Sequence, residues 1–209
     1  MSDPSLFFAF LAAAAILTIT PGVDTAMVLR SATVEGRRSA ILASFGIGLG
    51  CLVWGAAVSL GLGALLHASE LAYTVVKLAG AAYLLWLGVQ LLLKPRTAMG
   101  DASGQPAARN GRDAFWRGLL TNLLNPKIGV FYITFLPLFV PGGVGVAVYS
   151  FFLAFLHVLL TFAWFAALIA ATVPLGRFLR RPKAVTIMDR LTGVVFVGFA
   201  LKLAASPAR

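Results

Sequence analysis

The chain is poor in the side chains that enzymes work with: 1 cysteine, 2 histidines and 7 Asp and Glu among 209 residues. A single cysteine, Cys51, excludes an internal disulfide and a CxxC redox centre, and with them membrane thiol transfer. It reads as packing inside a span. No pair of histidine and carboxylates has metal-ligand spacing, and no nucleophile stands beside a base, so a membrane-embedded enzyme lacks its machinery. No metal and no cofactor are expected. Charge itself is scarce, at 11% of residues against 60% apolar. That excludes a disordered chain and argues against a soluble α/β domain. Ser39–Leu66 runs 28 residues and Val144–Gly176 runs 33 without a formal charge. About 20 apolar residues at 1.5 Å rise cross a hydrocarbon core, and a soluble core helix is seldom this long and apolar all round.

What the chain does have is six apolar stretches: Leu6–Leu29, Ala40–Leu66, Leu71–Leu93, Gly118–Val140, Val144–Val173 and Ala184–Ala205. They predict an all-α, polytopic membrane protein with six transmembrane helices. Residues 1–93 form a first three-helix half, 94–117 a polar loop and 118–209 a second half. The sixth span is the weakest, because Asp189 and Arg190 interrupt its first third. The start carries Asp3 and no basic residue before the first apolar run, so Leu6–Arg30 reads as a retained helix, not a cleaved signal. Spans of this length leave no room for a soluble catalytic domain.

The net charge of +10 is a matter of orientation. Arg30, Arg37 and Arg38 sit in the first loop. Lys94, Arg96, Arg109, Arg112 and Arg117 sit in the third, and Arg177, Arg180, Arg181, Lys183 and Arg190 in the fifth, together 13 of the 17 basic residues. Lys and Arg accumulate on the cytoplasmic side. The odd loops are therefore expected inside and both termini outside. No basic face interleaved with aromatics is present, so nucleic acid is not an expected partner. The expected partners are the lipid bilayer and a small solute, with homo-oligomerisation left open.

Lys77-Leu-Ala-Gly80-Ala-Ala-Tyr83-Leu in the third span matches Arg190-Leu-Thr-Gly193-Val-Val-Phe196-Val in the sixth, at an offset of 113 residues. Three helices per half is an odd number, so a repeat would place the halves in opposite orientations, a transporter architecture. The other reading is chance likeness between apolar helices, and spans one and four align only with a shift of eight residues. In the second span Gly46 and Gly50 form a small-xxx-small pair. It serves either close packing or a sliding interface.

Two spans are broken and charged. In the first, Pro21 lacks an N–H and its ring clashes with the carbonyl of Leu17, while Gly22 adds flexibility. Thr20 and Asp24 are four apart and share a face. Asp24 falls in the inner third of the membrane, where a carboxylate costs about 2.5–3.5 kcal/mol on insertion scales. It either serves function, or caps the second half-helix, or reaches toward Arg30. In the fourth span Pro126 is expected to free the carbonyl of Asn122, and the amides of Asn122 and Asn125 to lie together. Lys127 is then ~13 Å deep by rise per residue. It belongs either to a binding site or to a structural ion pair, Asp24 being one candidate partner. Opposite charges at two helix breaks suit a free amino acid, its carboxylate on Lys127 and exposed N–H groups and its ammonium on Asp24 and freed carbonyls. His157, near the middle of the fifth span, either relays protons or makes one interhelical hydrogen bond. Trp54, Trp86, Trp116 and Trp164 read as packing or interfacial anchors.

Thr20-Pro21-Gly22-Val23-Asp24, Lys77 through Leu84 with Leu87-Gly88, and Asn125-Pro126-Lys127 through Phe135-Leu136-Pro137 together resemble the LysE/RhtB family of bacterial amino-acid exporters. The likeness covers nearly the whole chain. It implies export of amino acids or their derivatives through the inner membrane, driven by an ion gradient, with protons expected. It also puts Pro21, Gly22, Asp24, Asn125, Pro126 and Lys127 at the family's motif positions. The chain departs from the family in having Val23 where a second proline is usual and Leu138 where glutamine is frequent. The first bears on the shape of the helix break and the second on the substrate. A channel or accessory membrane subunit is the competing reading.

Overall fold

The computed structural model describes residues 4–68, 70–96, 110–141, 143–179 and 181–205, with backbone alone at 62–68, 70, 72, 73, 76, 77, 202 and 203. All regular elements among them are helical: α1 (Pro4–Ile19), α2 (Val23–Arg30), α3 (Arg37–Ala68), α4 (Glu70–Leu93), α5 (Gly111–Leu123), α6 (Pro126–Phe135), α7 (Val146–Ala170), α8 (Thr172–Leu179) and α9 (Pro182–Ala205). Within α3, α7 and α9, the stretches Arg37–Gly61, Val146–Ala170 and Pro182–Leu201 are each long and apolar enough to cross a membrane. The pairs α1/α2 and α5/α6 each pass the same test of length and hydropathy when taken together across a 53° bend. The 24-residue α4, apolar over Leu78–Leu93, stands at the remaining predicted span. Large apolar side chains cover the outside: Leu60 is 70%, Leu71 75% and Val148 79% exposed. In water such a surface would associate; in a bilayer it meets acyl chains. The protein is an all-α, multi-pass membrane protein.

Both breaks have local causes. Gly22 is extended, at φ −149° and ψ −172°, and Pro21 before it cannot extend α1, so α2 leaves at 53° to α1. Asn125 is likewise extended, and its side-chain oxygen accepts the Lys127 backbone N–H at 3.1 Å. Pro126 takes the first position of α6, where its missing N–H costs nothing, and α5 and α6 also meet at 53°. Each broken helix is followed by a long one, and α4 and α9 pack on each other.

The long helices meet through small residues. A Cβ on Gly46 would overlap the carbonyl of Phe115, and one on Gly118 the carbonyl of Ala43, so α3 and α5 touch backbone to backbone. Gly46 is a packing position. Along α6 and the 3-10 turn that follows it (Leu136–Phe139), the rings of Phe131, Phe135 and Phe139 follow one another at 4.9 and 5.5 Å, and Phe199 of α9 closes on Phe135 at 4.6 Å. This buried aromatic row fixes the half of the bundle beyond the breaks.

Several boundaries differ from those read in the sequence. The fourth span begins at Gly111, not Gly118, because the side chain of Asn110 caps it by accepting the Asp113 N–H at 2.9 Å. The segment expected to be loop through Arg117 therefore gives its end to α5. The first loop is a π-helical turn, Ser31–Glu35, closed by Gly36 at φ +92°. Its Glu35 bridges Arg30 at 3.3 Å and Arg117 at 3.0 Å, tying the loop ends of the two broken spans together. Of the basic residues read as orientation charges, Arg109 and Arg180 lie outside the described residues, as do the C-terminal Arg209 and most of the 94–117 loop.

Candidate functional site

The two breaks meet, and Lys127 is what joins them. Its ammonium donates to the carbonyls of Leu17 and Thr20, both at 2.9 Å. Pro21 deprives Leu17 of its usual donor, and α1 ends before Thr20 can be capped. The lysine from one break therefore satisfies carbonyls orphaned by the other. No Asp24–Lys127 ion pair forms among the described residues; the lysine holds backbone carbonyls instead. Nor does Pro126 leave the Asn122 carbonyl free, since the Asn125 N–H turns back to it at 3.0 Å. A tight turn takes up the acceptor that a longer helix would have bonded.

Asp24 sits in the first turn of α2, 8% exposed, at the positive end of the helix. One carboxylate oxygen accepts from the Asn122 side-chain amide at 2.8 Å, and the same amide approaches the Cys51 sulfur at 3.4 Å. The other oxygen, Oδ1, is buried without a hydrogen-bond partner, as is the Asn122 side-chain oxygen. Arg30 pairs with Glu35 and not with Asp24. The Asn122 and Asn125 side chains both lie at the Asp24 carboxylate, and the Asn125 side-chain oxygen also accepts the Lys127 N–H at the start of α6. His157 is buried, its Nδ1 3.0 Å from the Tyr132 hydroxyl, so the interhelical hydrogen bond is made.

Two cavities flank the junction. The first, of about 30 Å³, is lined by Asp24, Cys51, Asn125, Lys127 and His157 with Gly22 and Thr20. It carries several polar groups and is large enough for water but small for an amino acid. The second, of about 230 Å³, opens on the side of α4 and α9 and is lined by Thr20, Leu87, Arg96, Lys127, Asp189, Thr192 and Phe196 among others. Thr20 and Lys127 belong to both. The Thr20 hydroxyl lies 2.6 Å from that of Thr192 on α9.

Arg96 and Asp189 were not among the site residues drawn from the sequence. Asp189, fully buried, accepts the Arg96 backbone N–H and Nε, both at 2.9 Å, and Nη2 at 2.5 Å. Nη2 also donates to the Pro21 carbonyl at 3.0 Å. Arg96 follows the third span, and hydrogen bonding by Asp189 raises its pKa. Its place in a basic loop made it look like an orientation charge. The available signal was Asp189: a carboxylate within a span is as costly there as Asp24 is in its own. Among the described residues no group of three or more His, Cys, Asp or Glu is placed to hold a metal ion.

A helical membrane protein with two broken helices meeting at a buried carboxylate and a part-buried lysine has the build of a solute transporter. The model of the LysE type translocator matches residues 15–206, and the chain belongs to that family. It is 32% identical over 205 residues to the threonine efflux protein of Salmonella typhi, covering 96% of this chain and 98% of that protein. It is 30% identical over 203 residues to the leucine efflux protein of Klebsiella pneumoniae subsp. pneumoniae, covering 95% and 94%. The membrane protein YrhP of Bacillus subtilis (strain 168) is 28% identical over 205 residues, covering 95% and 98%. No solved structure matches.

Proposed function

We propose that this protein exports amino acids or amino-acid derivatives across the bacterial inner membrane, driven by the proton gradient. The observation that carries the reading is that the Lys127 ammonium is held by the carbonyls of Leu17 and Thr20 while Asp24 keeps an unpartnered oxygen in the same cavity. A zwitterion can exchange with that arrangement. Its carboxylate takes Lys127, its ammonium takes the released carbonyls and Asp24, and no charge is left bare. Thr20, Pro21, Gly22, Asn122, Asn125 and Pro126 shape and orient this exchange. Relatives named for threonine and leucine efflux support an amino-acid cargo.

Asp24 is the coupling residue in this reading. The cavity beside it has room for water, so a proton can reach Asp24 through it, with His157, which also lines it, as a relay. The basic odd loops face the cytoplasm and both termini face outward. Each half opens with a helix bent by 53°, which supports two inverted halves that exchange roles as access alternates.

The test is efflux from cells preloaded with a panel of amino acids, with and without the protein, before and after a protonophore. Faster, protonophore-sensitive, uphill loss of at least one amino acid is expected. Flux that only runs downhill and ignores the protonophore overturns the reading in favour of a channel.

A further inference from the structure

We propose that the 230 Å³ cavity between the first helix break, α4 and α9 is the chamber that loads the solute, and that the Arg96–Asp189 pair is its latch. The ligand is an α-amino acid with an uncharged, apolar side chain. The proposal rests on the exporter reading and extends it to a residue pair and a substrate class.

Geometry argues for a latch. Arg96 ties three separate parts of the chain: its own segment after α4, Asp189 on α9, and the Pro21 carbonyl at the break. Its backbone takes part as well, with the N–H on Asp189 and the carbonyl accepting from Thr186 of α9 at 3.2 Å. A pair kept only to hold α9 in place would have no need of the Pro21 carbonyl. That carbonyl belongs to the one place where the first span is free to bend. The Arg96 side chain is 40% exposed while that of Asp189 is fully buried, so the pair stands with one member toward solvent and one toward the interior.

Chemistry argues for the ligand. Removing one member of such a pair leaves the other uncompensated, which is costly. A zwitterion replaces both at once, its ammonium on Asp189 and its carboxylate on Arg96 or on Lys127 at the chamber's far wall. Once the zwitterion engages Asp189, Arg96 and Lys127, the rest of the lining is mostly apolar, Leu87, Leu91 and Phe196 with the hydroxyls of Thr20 and Thr192, and holds no further charge for a charged side chain to meet. At 230 Å³ against 30 Å³, this cavity and not the one at Asp24 has room for a whole amino acid. Thr20 and Lys127 line both, so a solute here already touches the groups that pass it on.

The experiment uses full-length protein in lipid nanodiscs with two readouts that need no flux. A cysteine at Leu91, in a Cys51→Ala background, is reacted with a charged, water-soluble thiol reagent. Labelling is expected to be slow with the latch intact and about tenfold faster in Arg96→Gln or Asp189→Asn, the response of a two-state closure to loss of one contact. It is expected to be slow again in the reversed pair, Arg96→Asp with Asp189→Arg, which also shows that the variants fold. Separately, L-leucine should raise the melting temperature of the unmodified protein, L-glutamate should not, and Leu87→Trp, which fills the chamber, should abolish the leucine effect. Equal labelling in all variants overturns the latch. A leucine effect that survives Leu87→Trp, or none at all, overturns the chamber. Failure of the exporter reading would show in the efflux assay and leave both readouts as stated.

Discussion

The two faces of the first helix break differ in how completely their polar groups are paired. On the α3 and α7 side, Asp24 and Asn122 share one hydrogen bond and each keeps a buried oxygen without a partner. On the α4 and α9 side, Asp189 accepts three hydrogen bonds from Arg96, and Thr20 meets Thr192. The underpaired face encloses about 30 Å³ and the well-paired face about 230 Å³. Room and unsatisfied polarity are thus on opposite sides of Lys127. A buried orphan acceptor costs roughly 1–3 kcal/mol, so it persists where a proton or a ligand removes the cost for part of a cycle. A closed ion pair next to open space suits a barrier that has to give way.

Asp24→Asn tests that division with the largest expected effect. The amide keeps size and hydrogen bonding but cannot ionise. Export should fall to the background of cells lacking the protein at matched abundance, while Asp24→Glu keeps part of it. Wild-type efflux by Asp24→Asn would mean that the underpaired face does not couple.

Lys127→Met comes next and is read in stability. It removes two charge-assisted hydrogen bonds, each worth about 1.5–3 kcal/mol, and leaves the Leu17 and Thr20 carbonyls orphaned, so a loss of about 3 kcal/mol is expected in denaturant or thermal unfolding. Because the ammonium holds carbonyls and not Asp24, adding Asp24→Asn should not restore it. A double variant clearly more stable than Lys127→Met alone would place the two charges together and undo the distinction between the faces.

Gly50→Ala sharpens the comparison on one side only. A Cβ there would press on the side chain of Asn122, the group that holds Asp24. Overpacking of this kind costs about 1–3 kcal/mol, and export should fall with it. Gly61→Ala, where a Cβ meets nothing within 4 Å, is the matched control and should stay within about 0.5 kcal/mol. Equal behaviour of the two would show that Asn122 moves aside freely.

Legibility followed range along the chain. The spans, the breaks at Pro21 and Pro126 and the charged residues beside them could be read because proline, glycine and intramembrane charge act locally. That Leu17 would lose its helical donor also followed from Pro21 alone. What took its place did not, because Lys127 is 110 residues away in the chain. Asp24 and Lys127 looked like partners by charge and depth, yet pairing depends on which way each half-helix turns after a 53° bend. Arg96 was hidden for a similar reason: only the packing of α4 on α9 brings its loop over Asp189. The helix start at Gly111 was obscured by polarity, since the capping Asn110 and Asp113 look like loop in a chain where helices are otherwise apolar.

The smallest effect is expected at Glu35, outside both cavities. Its carboxylate joins Arg30 at the end of α2 to Arg117 in α5, so the loop ends of the two broken spans are linked at one residue. Both arginines keep 20% of their side-chain surface exposed but Glu35 only 3%, so the pairs lie between an exposed pair, worth about 0–1 kcal/mol, and a buried one. Glu35→Gln retains an acceptor and removes the charge, so stability should drop by about 1 kcal/mol. If the broken spans move as one body, that small loss still leaves transport near wild type, since the contact breaks in neither state. A several-fold fall in export at unchanged stability would mean that the spans separate here during the cycle, and the motion would then divide the two faces of the break as well as their chemistry.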